Sequence, residues 1–152
     1  MKIKVFLDTN VLLDVLQQGR PFTASSQVIL QAIWDRKIEA VLTTQSVVDS
    51  AYITGKEGLQ QTFFNMVNRC CDYINMDYIN TFDIRLACRN YSGDFEDDVL
   101  YFRALDACCD VFVTSDVKLR NRYSGKHEHL LQFMSPEEFV SKIRGEAIPS
   151  QT

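Results

Sequence analysis

Carboxylates recur in this chain where hydrophobic runs end. Asp8 closes the run Ile3–Leu7, apolar apart from Lys4, and is followed at once by Thr9 and Asn10. Asp116 closes Val-Phe-Val-Thr-Ser, with Thr114 two residues before it. The stretch GDFEDD puts Asp94, Glu96, Asp97 and Asp98 at the start of a helix, and Asp49 sits in TTQSVVDSAYI, on a helix after the second apolar run. Each has an ordinary explanation alone. Asp8 can cap a helix, Asp94 is a good N-cap, and acids in a first turn complement the helix dipole by roughly 0.3–1 kcal/mol each. Asp116 can be a turn residue, Asp14 is expected on a solvated helix face, and Asp49 can be an exposed polar helix position, although Val48, Ala51 and Tyr52 suggest that it borders a buried face. Together they mean more. At about 4 Å and an effective dielectric constant near 20, each like-charged pair costs on the order of 4 kcal/mol. Converging carboxylates therefore take up protons or hold a divalent cation. Oxygen-only ligation suits Mg2+ or Mn2+. Such a set polarises a phosphoryl oxygen, lowers the pKa of a water and orients an in-line displacement. No His, Cys or Ser stands out as a competing nucleophile.

The elements that must position these acids alternate. Apolar runs at Ile3–Leu7, Ala40–Thr43, Tyr73–Met76 and Val111–Val113 read as buried strands, with a short fifth at Leu130–Phe133. Helical spacing fills the intervals: Asn10–Gln17, ended by Gly19-Arg20-Pro21; Thr23–Arg36; Thr44 or Ser46 to about Ile53, stopped by Gly55; Leu59–Cys71; Ile79–Arg89; and Asp94 to about Cys109. Ser135-Pro136-Glu137-Glu138 starts a last helix with Ser as N-cap and Pro at N1. This alternation predicts an α/β fold, a mostly parallel four- to five-stranded sheet with helices on both faces. Ligands of such sheets bind beyond the carboxyl ends of the strands, where Asp8 and Asp116 fall.

The 152 residues predict one domain over 1–145, followed by a flexible tail at 146–152. No apolar run approaches the roughly 20 residues of a membrane helix, and no signal peptide is evident, so the expected location is cytoplasmic. Five cysteines, with adjacent pairs at Cys70-Cys71 and Cys108-Cys109, read as small buried hydrophobes and not as a disulfide framework. His127 and His129 lie far in sequence from any cysteine, which argues against zinc. The net charge of −4 does not exclude a nucleic-acid partner, because metals and local basic patches both engage phosphate. The segment KLRNRYSGKHEH supplies Lys118, Arg120, Arg122 and Lys126 for phosphates, and Tyr123 for base stacking; its plainer reading is a solvated loop.

The pieces FLDTNVLLDVL, RPFTASSQVILQAIWDRKIEAVLTTQSVVDSAYI, DFEDDVLYFRALDACCDVFVTSD and FMSPEEF, in that order, resemble the PIN-domain ribonucleases, in the branch of the VapC-type toxins. The resemblance covers nearly the whole domain and implies a three-layer α/β/α fold with an acidic pocket. It carries the family's acids onto Asp8, Asp49, Asp97 and Asp116, with Asp8, Asp97 and Asp116 as metal ligands. Asp49 is shorter than the Glu common there, and Asp98 and Asp94 are alternates to Asp97. Thr9, Asn10 and Thr114 match its supporting polar residues. The implied activity is Mg2+- or Mn2+-dependent hydrolysis of single-stranded or looped RNA by a metal-activated water, with a small antitoxin and a second copy of the chain as expected partners. The competing expectation is a catalytically weak module that binds RNA or protein. A phosphatase using Asp8 as nucleophile would want Asp where Asn10 stands.

Overall fold

A computed structural model describes residues 1–17 and 19–145; the expected tail at 146–152 lies outside them. The elements run β1 (Lys4–Leu7), α1 (Thr9–Leu16), α2 (Thr23–Trp34), β2 (Glu39–Thr43), α3 (Thr44–Lys56), α4 (Gln60–Tyr73), β3 (Asn75–Asp77), α5 (Thr81–Arg89), α6 (Phe95–Asp106), β4 (Val111–Val113), α7 (Val117–Tyr123), β5 (Gln132–Met134) and α8 (Pro136–Arg144). The five strands form one sheet in the order β3-β2-β1-β4-β5, every neighbouring pair parallel.

Successive strand side chains point to opposite faces, and in a parallel sheet both faces are buried. Val5, Leu7, Ala40, Leu42, Val111 and Val113 enter a core shared with α1, α2, α4 and α8. Phe6, Val41 and Phe112 enter a second core closed by α6 and α7. The rings of Phe6 and Phe112 lie 4.8 Å apart, and Phe112 stacks on Phe133 at 4.7 Å. The expected three-layer arrangement is therefore present, with β1 at its centre.

Several boundaries differ from expectation for local reasons. Arg36 and Cys108 adopt left-handed φ of 56°, which ends α2 at Trp34 and α6 at Asp106, short of Arg36 and Cys109. Tyr73 closes α4 instead of opening β3. Gly55 does not stop α3, which continues to Lys56. The first part of the basic segment is not a loop but helix α7, capped by Asp116. Ser135 caps α8 as expected, its side chain accepting from Glu138 N at 3.1 Å, and Gly145 ends it at φ 71°.

Asp14 does not lie on a solvated face. It is 1% exposed, accepts from Arg20 Nε at 2.8 Å and from Ser26 Oγ at 3.0 Å, and so ties the α1–α2 turn to both helices. Among the four aromatics that could be core or surface, Phe63 is buried and Tyr73 half-buried, whereas Phe64 and Tyr78 are exposed.

Candidate active site

Leu7 of β1 pairs with Val113 of β4, so the residues that follow them meet at the carboxyl end of the sheet. Asp8 N donates to Val113 O at 3.0 Å, and Thr114 Oγ1 donates to Asp8 Oδ2 at 2.7 Å. Asn10 Nδ2 adds a longer bond to the same oxygen at 3.3 Å. Asp8 occupies the N-cap position of α1 with extended backbone, yet its side chain makes no capping hydrogen bond. The capping explanation thus does not account for its carboxylate. Asp8 is only 8% exposed. Burial pushes its carboxyl up to about 6; the Thr114 and Thr9 hydrogen bonds work against that, and the charges of Asp97 and Asp116 add to it.

The Thr114 hydroxyl also accepts from Asp116 N at 3.0 Å, so one side chain spaces both acids. Asp116 then caps α7, its Oδ1 accepting from Leu119 N at 3.2 Å. Asp97 arrives from the first turn of α6, where Asp94 Oδ1 accepts its backbone N–H at 3.0 Å. Burial raises the Asp97 carboxyl, and Asp94 and Asp116 push the same way against a hydrogen bond from Arg122. Arg122 Nη1 lies 2.6 Å from Asp97 Oδ2.

The next residue faces elsewhere, as a rotation of about 100° per helical residue requires. Asp98 is 1% exposed and accepts from Ser92 N at 2.9 Å, from Ser92 Oγ and from Tyr123 OH. Its carboxylate is consumed by these donors, and Asp94, exposed, is engaged as the α6 cap. The structure thus brings Asp97 toward Asp8 and Asp116 and turns Asp98 away.

Asp49 stands half-buried on α3, held by Gln45 Nε2 at 3.0 Å. Its charged neighbour is Glu96, whose carboxyl is raised by burial first and then by Asp49, Asp97 and Asp94. The sequence reading places Glu96 in the acidic run without a site role; its place directly before Asp97 was the available signal. Asp49 and Glu96 line a cavity of about 340 Å3 whose wall includes Ile84 and Phe95. Thr9 and Asn10 are half-exposed in the first turn of α1.

In the basic segment, Lys118 and Lys126 are exposed, while Arg120 Nη1 donates to Thr114 O at 2.7 Å. Tyr123 is not available to stack on a base. It is 3% exposed, its ring 4.4 Å from Tyr101, because the α7 register turns it into the second core. His127 Nδ1 meets Tyr101 OH.

Among the described residues no group of three or more His, Cys, Asp or Glu side chains is drawn together as metal ligands are. The donor chemistry of Asp8, Asp97 and Asp116 nevertheless fits a hard divalent cation. All three offer only oxygen, and Asp8 is buried beside two further acids with hydroxyl and amide donors for company and, among the described residues, no ion-paired cation.

Solved structures share this fold. The fold matches a chain of a toxin–antitoxin complex from Klebsiella pneumoniae with a TM-score of 0.61 at 15% identity, over 87% of this chain and 97% of that one. It matches the Mycobacterium tuberculosis toxin VapC20, described as cleaving the sarcin–ricin loop, with a TM-score of 0.61 at 10% identity, over 82% and 97%. A Pyrobaculum aerophilum protein gives 0.63 at 12% identity, over 95% and 91%. No curated protein matches the sequence. Residues 4–118, a span that holds Asp8, Asp49, Asp97 and Asp116, match the model of the PIN domain, and the chain belongs to the PIN domain family.

Proposed function

We propose that this chain is a divalent-metal-dependent endoribonuclease of the VapC toxin type, with Asp8, Asp97 and Asp116 as the ligand set for Mg2+ or Mn2+ and Asp49 as an outer acid. One observation carries the reading: Asp8, buried at the carboxyl end of the central strand, lies in the field of Asp97 and Asp116 and is ion-paired with no cation among the described residues. A divalent ion held there supplies Lewis-acid stabilisation of phosphoryl oxygens and lowers the pKa of water. The protein's own part is positioning. Thr114 spaces Asp8 from Asp116, Asp94 sets the turn that presents Asp97, and Lys118 and Lys126 meet backbone phosphates of single-stranded or looped RNA. Arg122, paired with Asp97 at 2.6 Å, would be available to a phosphate once Asp97 served a metal. The five free cysteines are compatible with action in the reducing cytoplasm. An antitoxin is the expected partner, since the Klebsiella pneumoniae match is itself part of a toxin–antitoxin complex. A homodimer is expected from the family resemblance.

The test is RNA cleavage by the purified chain with Mn2+ or Mg2+. Cleavage that a chelator stops, and that Asp8→Asn and Asp97→Asn each reduce by roughly 100-fold or more, supports the reading. Chelator-insensitive cleavage, or full activity in either variant, sinks it. The competing reading is a weakly catalytic binding module, favoured by the Arg122–Asp97 ion pair and the short Asp49. It predicts RNA affinity that does not depend on metal.

A further inference from the structure

At the end of the sheet opposite Asp8, α2 and α8 leave a groove of about 660 Å3 beside the start of β1. Five residues at roughly 3.3 Å each place it about 16 Å from the acidic site, so an occupant there leaves that site open. Its floor is aliphatic, formed by Val28, Ala32, Ile38 and Ile143. Its rim carries Lys2, Lys37, Lys142 and Arg144, all exposed. None of these four side chains is ion-paired among the described residues. The rim's carboxylate, Asp35, already accepts from Gln31 Nε2 at 2.9 Å. A positive excess of this kind in a chain of net charge −4 marks a local preference for anions.

The floor decides which anion. Among the described residues no aromatic side chain lines the groove, so a nucleic acid would find cations for its phosphates but no platform for its bases. An aliphatic trough instead takes aliphatic side chains, and its volume lies in the range of ligand-binding clefts. We propose that the groove binds an acidic peptide segment of a partner protein. The segment's Leu, Ile or Val side chains lie against Val28, Ala32 and Ile143, and its Asp or Glu carboxylates lie over Lys37, Lys142 and Arg144. Rim charges govern association rate and salt dependence, while the apolar floor governs residence.

The test pans a phage-displayed random dodecamer library on the full chain. A fluorescein-labelled winner is then measured by anisotropy on the native chain and on Lys142→Glu/Arg144→Glu, whose fold is checked by circular dichroism. Both substituted positions are exposed. The expected winners combine acidic and aliphatic residues, bind at least tenfold more weakly to the double variant, weaken between 50 and 500 mM NaCl as interactions of exposed charges do, and shift the amide resonances of Val28 and Ile143. Four outcomes overturn the proposal: no enrichment, winners that are neutral or basic, equal binding to the double variant, or displacement of the peptide by a decamer oligoribonucleotide.

Discussion

Around Arg103, Asp77, Asp83 and Asp106 converge from β3, α5 and the end of α6. The guanidinium reaches all three: Nη1 lies 3.2 Å from Asp83, Nη2 bonds Asp106, and Nε lies 3.2 Å from Asp77 without the alignment of a hydrogen bond. Asp83 also completes a reciprocal cap with Asn80. At the carboxyl end of β1, Asp8 lies in the field of Asp97 and Asp116, and of these three acids Arg122 pairs with Asp97. The first cluster is an ion network built to clamp α5 and α6 against β3. The second leaves its most buried acid, Asp8, to be neutralised by a proton or by a cation from solution. Matched charge holds the fold together, and the unmatched charge of Asp8 is what the proposed metal site would use.

The largest expected effect breaks the matched cluster. Arg103→Met leaves Asp83, fully buried, without its cation and should cost about 3–5 kcal/mol, read from urea unfolding. Mn2+ affinity of the folded fraction should not change.

Next is the pH dependence of the unmatched cluster. The folded Asp8 carboxyl titrates near 6 against 3.8 for an unperturbed one, so the fold disfavours its ionised form. The penalty is absent well below pH 4, grows as pH rises toward 6 and is constant above. Its ceiling is about 3 kcal/mol. Urea unfolding in chelator should therefore show stability falling between pH 4 and 7. Asp8→Asn should remove that fall and be at least as stable as the native chain at pH 7. Saturating Mn2+ should offset the fall in the native chain only.

The doublet in α6 sharpens the same contrast within two adjacent residues. Asp98→Asn, which disturbs three satisfied acceptor contacts, should cost about 1–3 kcal/mol of stability. Asp97→Asn should cost less than about 1 kcal/mol but lose cleavage. The smallest stability effect belongs to Arg122→Ala, below about 1 kcal/mol for a partly exposed pair. That variant should bind Mn2+ more tightly, since Asp97 is released, and RNA more weakly.

The contrast was half legible in the sequence. Asp8 and Asp116 could be found because a parallel sheet delivers strand ends to one edge, and their strands announce themselves as short apolar runs. Asp97 came from the family resemblance of DFED, with Asp98 kept as an alternate. The Arg103 network could not be read, because its partners are 26, 20 and 3 residues away and meet only through tertiary packing. Asp14 was misplaced for a similar reason: α1 is buried nearly all round, and the groups that satisfy it, Arg20 and Ser26, come from the next turn and helix. Tyr123 looked like a stacking residue inside a basic segment. Only the α7 register shows that it belongs to the aromatic core with Tyr101 and Phe133.

On the proposed reading, buried Asp8 is left without an ion-paired cation among the described residues so that it can hold a divalent ion together with Asp97 and Asp116. Isothermal titration calorimetry with Mn2+ on the purified chain tests this most directly. The account predicts saturable binding that is lost in Asp8→Asn and in Asp97→Asn and is kept in Asp83→Asn, measured on folded protein. Binding that survives both active-site substitutions, or no Mn2+ binding by a chain that still cleaves RNA, would contradict it.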